Sequence, residues 1–310
     1  MEKIAPITVD QLVSEYHQQR GQASMPTARI MFSGVGDNDV YNITAPLRYQ
    51  DQRVIAGRVE ARDSEHSTIM FFSEHNGCWK PLDNSPTFLL QDPFFTYIDK
   101  ELVLGGVEIS PHPTKEGQLT WRTVFYRGED IFNLQRFATG PEGMKDIRLC
   151  QLPDGRIAVF TRPQGEVGGR GSIGYTEIDN LDALTTEVVK GAQLLDKQFV
   201  ADEWGGVNET HLLENGTIGL LSHIACFDAQ GDRHYYPTVF TFDPRTRHYS
   251  PMKIIATRKD LTAGTAKRPD LVDVIFPGGL LPINEQCWRL YVGASDSEAH
   301  WIDIANPFNH

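Results

Sequence analysis

The sequence is poor in cysteine, carries fewer basic than acidic residues and has no long apolar run. Its four cysteines, among 310 residues, stand far apart without a CxxC pair, so we expect buried free thiols and no disulfide framework. The 29 Lys and Arg residues against 41 Asp and Glu leave a formal net charge of −12, which disfavours nucleic acid as a partner because phosphate backbones are repelled. No stretch approaches the roughly 20 apolar residues that span a bilayer, and the N-terminus lacks the apolar core of a signal peptide. We therefore expect a cytoplasmic protein that does not bind a membrane.

Signatures of metal, dinucleotide and serine-hydrolase sites are missing or out of context. No HExxH or GxSxG pattern occurs, so the sequence favours neither a catalytic zinc nor a serine nucleophile. Residues 169–174 match GxGxxG, but residues 175–178 alternate like a strand, whereas a dinucleotide site requires a helix there. The sequence therefore predicts no metal and no organic cofactor.

Helical periodicity is confined almost entirely to the N-terminus. Thr8 and Gln11 fit a capping box, and the apolar spacing that follows, up to Gly21, predicts one short helix. Residues 181–189 are a second, minor helical candidate, and residues 258–266 read as a loop. Elsewhere, short β-branched and aromatic runs alternate with Gly, Pro, Asn and Asp, which is typical of an all-β fold.

A repeat of roughly 50 to 65 residues runs along the rest of the chain. Five apolar runs each follow a turn and each end on a polar or charged side chain: Arg58, Glu108, Arg162, His223 and Asp296. The polar residues that open the five units are Asn42, Asp92, Asp146, Asn208 and Asp273. We predict a single domain over residues 1–310, a five-bladed β-propeller in which residues 1–28 form a helical N-terminal extension. The alternative is an irregular β-sandwich.

Four segments carry motifs whose order is kept from about residue 40 to residue 300. They are Gln91-Asp92-Pro93, residues 145–163, Ser222-His223-Ile224 and residues 291–296, and Tyr41-Asn42 is a weaker echo. This set resembles the β-mannoside phosphorylases. Residues 56–65 and 204–209 more closely resemble a related family long labelled a domain of unknown function, whose members have been linked to β-1,2-linked mannose oligomers as phosphorylases and as sugar-nucleotide mannosyltransferases.

The resemblance implies a five-bladed β-propeller that acts on β-mannosides. The implied reaction is inverting phosphorolysis of β-1,2-linked mannose oligomers to mannose 1-phosphate, or mannosyl transfer through the same site. The co-substrate would be inorganic phosphate or a sugar nucleotide. Asp92 aligns with the catalytic general acid of the phosphorylases. Arg162 and His223 would hold phosphate, with Lys145 close by, because an anionic nucleophile needs cations and no second carboxylate.

Polar groups for the hydroxyls of the bound sugar are expected at several of the same positions. They are Asn42, Arg58, Glu60, Asp146, Glu209 and Asp296. Sugar sites combine such groups with an aromatic face, for which Tyr41, Trp204 and Tyr126 are the candidates. Arg148 and Arg170 add to the cationic group, but they are equally expected as surface charges.

Two departures from the phosphorylase pattern leave other functions open. Gln91 stands where those enzymes have Glu, and Glu209 adds a carboxylate before the His motif. An inverting hydrolase would use Asp92 as acid and Glu209 or Glu60 as the base that activates water. A propeller that binds sugar without catalysis is the other alternative. The sequence also leaves a homo-oligomer open.

Overall fold

Strands make up most of the regular structure in the computed structural model, which describes residues 6–20, 25–112, 114 and 116–309. In these residues the helices are α1 (Val9–Arg20), α2 (Gly165–Gly168) and α3 (Thr186–Lys190), with 3-10 turns at Leu181–Ala183, Arg258–Asp260 and Pro269–Leu271. The strands are β1 (Thr27–Arg29), β2 (Met31–Phe32), β3 (Asp39–Tyr41), β4 (Leu47–Tyr49), β5 (Gln52–Glu60), β6 (Ser67–His75), β7 (Cys78–Pro81), β8 (Gln91–Ile98), β9 (Glu101–Pro111), β10 (Leu119–Gly128), β11 (Gln135–Thr139), β12 (Arg148–Gln151), β13 (Ile157–Thr161), β14 (Gly174–Ile178), β15 (Gln193–Leu194), β16 (Trp204–Leu212), β17 (Ile218–Phe227), β18 (Arg233–Asp243), β19 (His248–Tyr249), β20 (Lys253–Ile254), β21 (Asp273–Pro282), β22 (Cys287–Ala294) and β23 (Glu298–Ala305). The prediction of a mainly β fold with one short N-terminal helix is confirmed.

The N-terminal helix begins at the predicted capping box. The Thr8 amide donates to Gln11 Oε1 at 3.2 Å, and the Gln11 amide donates to Thr8 Oγ1 at 3.3 Å. Its apolar face, with Val9, Leu12 and Tyr16, packs against strands β17, β18 and β20. The predicted end at Gly21 lies outside the described residues. The predicted boundary of the extension at residue 28 falls inside β1, which pairs with β23.

Successive strands pair mostly antiparallel with their sequence neighbours, and they group into five units. Units 1, 2 and 3, defined here as β2–β7, β8–β11 and β12–β15, are separate sheets. Unit 4 (β16–β20) and unit 5 (β21–β23 with β1) share a nine-stranded sheet, joined by a short parallel pairing of β18 with β21. The described residues therefore form four sheets, and the five separate blades stay a prediction.

Each apolar run found in the sequence forms a strand in the middle of its unit. These strands, β5, β9, β13, β17 and β22, are buried along most of their length because both of their faces are covered. Hydrophobic clusters fill the space between units 1 and 2, 2 and 3, 3 and 4, 4 and 5, and 5 and 1. Between units 3 and 4, for example, the rings of Phe160 and Phe242 meet with centroids 5.5 Å apart. Unit 5 thus packs on unit 1.

Several smaller predictions can be compared with the structure. Residues 181–189 do form helical turns, and residues 258–266 are a loop apart from the turn Arg258–Asp260. All four cysteines are free thiols, but only Cys150 is fully buried. None of the helices in the described ranges is long and apolar enough to cross a membrane.

Candidate active site

In units 1, 2 and 3 a polar residue is held in the left-handed region of backbone conformation, directly after β3, near the start of β8 and shortly before β12. Asn42, Asp92 and Asp146 have φ angles of 44°, 49° and 59°. This conformation is unfavourable for most residues and least so for Asn and Asp, whose short polar side chains form local hydrogen bonds. Units 4 and 5 have β-bulges at the matching places, at Asn208 and Gly278. These five irregular positions and their immediate neighbours, called the strand starts below, redirect side chains that a regular pleat would alternate.

Two residues that marked the repeat in the sequence lie away from this group. Asp273 starts β21, but its carboxylate is hydrogen-bonded to His234 Nδ1 at 2.7 Å and to the hydroxyl of Tyr236. Glu108 binds two arginines of unit 2, each at 2.7 Å. The bulge of unit 5 therefore presents Gly278, without a side chain, where the other units present Asn or Asp.

The strand starts contact one another in a closed order from unit 1 to unit 5 and back. Neighbouring strand starts are connected by hydrogen bonds, by a cation–π contact and, between units 5 and 1, by a close approach of the backbones. The pairs are Asn42 with Asp92, Phe94 with Arg148, Arg148 with Asn208, Glu209 with Leu280, and Gly278 with Ile43. Residues from all five units therefore surround one region of the molecule.

Substituting Gly278 by Ala is expected to destabilise the protein by about 3 kcal/mol, at the upper end of overpacking costs. A Cβ there would overlap the carbonyl oxygen of Ile43, and backbone atoms of unit 1 would have to move. Urea unfolding of the variant would measure the loss. Gly191→Ala is the matched control, because a Cβ at Gly191 meets nothing closer than 3.4 Å. Equal stability of the two variants would contradict the close approach of units 5 and 1.

A cleft lies next to the strand starts. Its volume is about 710 Å³, which includes the open solvent at its mouth. Five of the predicted site residues line it: Asn42, Arg58, Asp92, Lys145 and Asp296. The sequence reasoning did not predict the other eight: Glu65, Gln91, Arg233, Tyr235, Arg268, Leu271, Val274 and Phe276. Carboxylates, cations and two aromatic rings therefore share one concave surface, the usual kind of place for a small-molecule site.

Asp92 is anchored at one side of the cleft by two donors. Its Oδ1 accepts hydrogen bonds from Asn42 Nδ2 at 2.8 Å and from Arg58 Nη1 at 3.1 Å. Arg58 Nη2 also binds Glu60 Oε2 at 2.7 Å, so one guanidinium connects two carboxylates. The sequence placed Arg58 and Glu60 two residues apart on one strand, and side chains at that spacing share a face.

Glu60 lies behind Arg58 and does not line the cleft. Burial alone would raise the pKa of Glu60, but Arg58 and hydrogen bonds from Lys267, Ser67 and Tyr41 bring it down to about 2. Burial would lower the pKa of Arg58, yet Asp92, Tyr41 and Glu60 raise it above its usual range. Both groups are therefore charged at any physiological pH, and Glu60 is occupied as a partner of cations.

Asp296 faces the same cleft from unit 5. Its φ angle of 49° lies in the same left-handed region as those of Asn42, Asp92 and Asp146. Burial raises the pKa of Asp296, and nearby Asp92 raises it further, while Arg58 opposes both. Asp92 and Asp296 thus share the cleft with Arg58, and Glu65 is a third carboxyl group there.

A cationic group lies around Asp146, under the part of the cleft that Lys145 lines. Arg162 Nη1 binds Asp146 Oδ2 at 2.9 Å, Arg148 Nη2 approaches Oδ1 at 4.0 Å, and His223 Nε2 lies 3.9 Å from Oδ2. Arg162, Asp146, Arg148 and His223 are all buried. Three cationic side chains, counting Lys145, therefore lie near one carboxylate in an acidic protein.

The group around Asp146 is positive although His223 contributes no charge to it. Burial would raise the pKa of Asp146, but Arg162, with smaller effects of Lys145 and Arg148, lowers it to about 2. Burial lowers the pKa of His223 to about 3, and Asp146 opposes this only in part. His223 is thus neutral, with Nδ1 hydrogen-bonded to Asn208 Oδ1 at 2.8 Å. Arg162 Nε and Asn208 Nδ2 are buried and make no hydrogen bond with any described residue.

Glu209 lies away from the cleft. Its Oε2 accepts a hydrogen bond from the Leu280 amide at 2.6 Å and is 2.7 Å from His211 Nε2. It connects units 4 and 5. One oxygen of this carboxylate, Oε2, is thus engaged by other groups of the protein.

Of the sequence candidates for stacking, none lines the cleft. Tyr41 is buried under Arg58 and bonds Glu60, Trp204 is buried against Phe227, and Tyr126 packs on Phe88. Of the two alternatives for Arg148, the surface charge is wrong, because its guanidinium is buried 3.7 Å from the centre of the Phe94 ring. Arg170 is about half exposed.

The aromatic residues that do line the cleft are Tyr235 and Phe276. Both contact the imidazole of His223, with centroid distances of 5.6 and 5.4 Å. Arg233 with Tyr235 on β18, and Val274 with Phe276 on β21, follow the two-residue period of a strand. That period was the available signal that each pair shares a face, but it does not reveal which face. No motif marks Arg268, which lies in the loop before β21.

Comparisons with known proteins identify a family and several similar structures. A family model, DUF1861, described as a protein of unknown function, matches residues 16–310. No curated protein matches the sequence. The structure of MPT-4, a mannose phosphorylase from Leishmania mexicana in complex with phosphate ion, is 32% identical with a TM-score of 0.88, over 96% of this chain and 93% of that chain.

Two further structures are similar. MPT-1, a GDP-Man-dependent mannosyltransferase from Leishmania mexicana, is 31% identical with a TM-score of 0.87, over 97% of this chain and 95% of that chain. A structure from work on the GH130 family of mannoside phosphorylases, which contains glycoside hydrolases that target beta-1,2 mannosidic linkages in Candida mannan, is 14% identical with a TM-score of 0.61, over 92% of this chain and 97% of that chain. The last likeness shows the fold alone.

Proposed function

This chain belongs to the DUF1861 family, and from that premise we propose that it is a carbohydrate-active enzyme that acts on β-mannosides. The reaction is reversible, inverting phosphorolysis of β-1,2-linked mannose oligomers. The chain is similar over nearly its whole length to a mannose phosphorylase and to a GDP-Man-dependent mannosyltransferase. Transfer from a sugar nucleotide is therefore the second candidate.

One observation carries the proposal: two buried donors that have no partner among the described residues lie in a positive group next to a cleft that holds carboxyl groups. Arg162 Nε and Asn208 Nδ2 are the buried donors, and Lys145 belongs both to the group around Asp146 and to the cleft wall. A buried donor left unpaired costs free energy, which an anion such as phosphate would recover through charge-assisted hydrogen bonds. Asp92, on the same cleft, is the acid.

In the proposed step, an oxygen of phosphate attacks the anomeric carbon from the face opposite the glycosidic oxygen. The carbon–oxygen bond to the leaving sugar breaks, and that oxygen takes a proton from Asp92. The β-mannoside gives α-mannose 1-phosphate and a chain shorter by one sugar. Asn42, Arg58 and Asp296, which line the cleft, bind the hydroxyls of the reacting mannose. Phosphate is a co-substrate, and the scheme uses no metal or organic cofactor.

The five-bladed propeller is part of the same proposal. Hydrophobic clusters join each unit to the next and unit 5 to unit 1, and the strand starts contact one another in the same closed order. Radial repetition of five units around an axis produces such an order, and it places the start of every unit near the axis.

Hydrolysis is less well supported, because the two carboxylates considered as bases lie away from the cleft. Glu60 is buried and bound by Arg58 and Lys267, and Glu209 is bound by the Leu280 amide. A base for water needs a free oxygen pointing at the water between it and the sugar. Neither residue lines the cleft.

We expect purified protein to form mannose 1-phosphate from β-1,2-mannobiose only when phosphate is present. The protein is incubated with β-1,2-mannobiose, once with phosphate and once without it. A parallel reaction contains GDP-Man as donor and mannose as acceptor. Mannose 1-phosphate, free mannose and GDP are measured in every reaction. GDP release with oligomer formation would instead assign the second candidate. Free mannose without phosphate dependence would assign a hydrolase, and saturable sugar binding with no product in any arm would assign a binding protein.

A further inference from the structure

A buried lysine lies behind the site, in the loop of residues 255–272 between β20 and β21. The side chain of Lys267 is only 4% exposed. Its Nζ contacts Glu60 Oε1, the carbonyl oxygen of Ser64 at 2.6 Å and Glu65 Oε1 at 3.1 Å. An ammonium is not buried to this extent without such partners, because its desolvation is costly. These three contacts therefore compensate the cost of burying the Lys267 ammonium.

The loop reaches Glu60 from unit 5, where its backbone is fixed. The Lys267 amide donates to the Ser295 carbonyl at 2.9 Å, and the Thr265 amide donates to Glu298 Oε1 at 3.1 Å. The hydroxyl of Ser297 donates to the Thr265 carbonyl at 2.6 Å. Lys267 thus connects the turn between β22 and β23 of unit 5 to a carboxylate of unit 1.

Each oxygen of Glu60 has two side-chain partners. Oε1 accepts from Lys267 and from the Tyr41 hydroxyl at 2.6 Å. Oε2 accepts from Arg58 and from the hydroxyl of Ser67. Since Arg58 Nη1 binds Asp92 at 3.1 Å, the contacts form one chain from Lys267 through Glu60 and Arg58 to Asp92.

We propose that Lys267 is a positioning residue that acts on Asp92 through Glu60 and Arg58. The inference rests on the proposed role of Asp92 as the acid. With Lys267 in place, Glu60 has two cationic partners and Arg58 is shared between Glu60 and Asp92. Without the ammonium, Arg58 is the remaining cation on the buried Glu60 side chain and is drawn towards it. Asp92 then loses a donor that orients its carboxyl group towards the leaving oxygen.

The consequence is a loss in the chemical step with little change in phosphate binding. Phosphate is proposed to bind at Arg162 and Lys145, and Arg162 is paired with Asp146, whereas Lys267 is paired with Glu60. We expect Lys267→Met to lower kcat by about 10- to 100-fold, as small misplacements of catalytic groups do. The KM for phosphate should stay within about twofold of wild type. Lys267→Arg, which keeps the charge, should recover most of kcat.

The test measures kcat and KM for phosphate in Lys267→Met, Lys267→Arg and the exposed control Lys253→Met. Glu60→Gln provides the second background, because a neutral amide does not need the ammonium. Adding Lys267→Met to Glu60→Gln should lower kcat by no more than about twofold, since residues that act through each other are not additive. Losses that multiply would overturn the inference, as would wild-type kcat in Lys267→Met.

Folding and function are separated within the same experiment. Thermal unfolding is measured for every variant, and Lys267→Gln replaces Lys267→Met if the latter does not fold. A purely structural role would lower the unfolding temperature but leave kcat per folded molecule unchanged, and that result also overturns the inference. If the wild-type protein forms no product with either donor, the proposed function has failed. If the wild type is active and the variants match it, only the role of Lys267 has failed.

Discussion

Replacing Asp92 by Asn is expected to lower kcat for phosphorolysis of β-1,2-mannobiose by about 10³-fold, within the range that a positioned general acid contributes. The amide has nearly the same shape, and its oxygen can still accept from Asn42 Nδ2 and Arg58 Nη1. The proton for the leaving oxygen is then missing while the cleft keeps its geometry. Because one group serves both directions, synthesis from mannose 1-phosphate should fall by the same factor.

The leaving group provides the control within the assay. A p-nitrophenyl β-mannoside releases a stable anion and needs little help from an acid, so the loss in Asp92→Asn should be much smaller with that substrate. Asp51→Asn, on a fully exposed turn, is the matched control variant and should keep wild-type kcat. Equal losses with both substrates would contradict the role of Asp92 as proton donor and would leave it as a sugar-binding residue.

The residues that the sequence located best are those at strand starts and ends. Asn42, Arg58 and Asp92 lie next to turns and apolar runs whose spacing repeats, so their neighbours in the chain determine where they point. The same reasoning could not predict which of Arg58 and Glu60 lines the cleft. Both are on one face of β5, and only the packing of the loop from unit 5 makes Glu60 a partner of cations and leaves Arg58 on the cleft.

The remaining wall of the cleft depends on contacts between units, which no local pattern records. Arg268 belongs to a loop without a motif, and Tyr235 lies in a strand whose orientation depends on its pairing with β21. The search for a polar residue at each strand start also selected Asp273 in unit 5. The structure places Gly278 there because the backbone of unit 1 approaches too closely for any side chain.

Arg162 is expected to have two separable effects, on folding and on the use of phosphate. Arg162→Met leaves Asp146 buried without its nearest cation, and removing one partner of a buried ion pair costs about 3 kcal/mol. Adding Asp146→Asn removes the second charge, so most of that stability should return in urea unfolding. The double variant is then folded but lacks the guanidinium whose Nε is buried and unpaired within the described residues.

In the folded double variant, the KM for phosphate should rise by about 100-fold, because two charge-assisted hydrogen bonds are lost. Arg162→Lys is the intermediate case, since an ammonium keeps the charge but cannot bind Asp146 and an anion in the fixed geometry of a guanidinium. Its KM should lie between those of wild type and the double variant. A double variant with wild-type KM for phosphate would place the anion elsewhere, and the cations at the mouth of the cleft, Arg233 and Arg268, would then be the next residues to change.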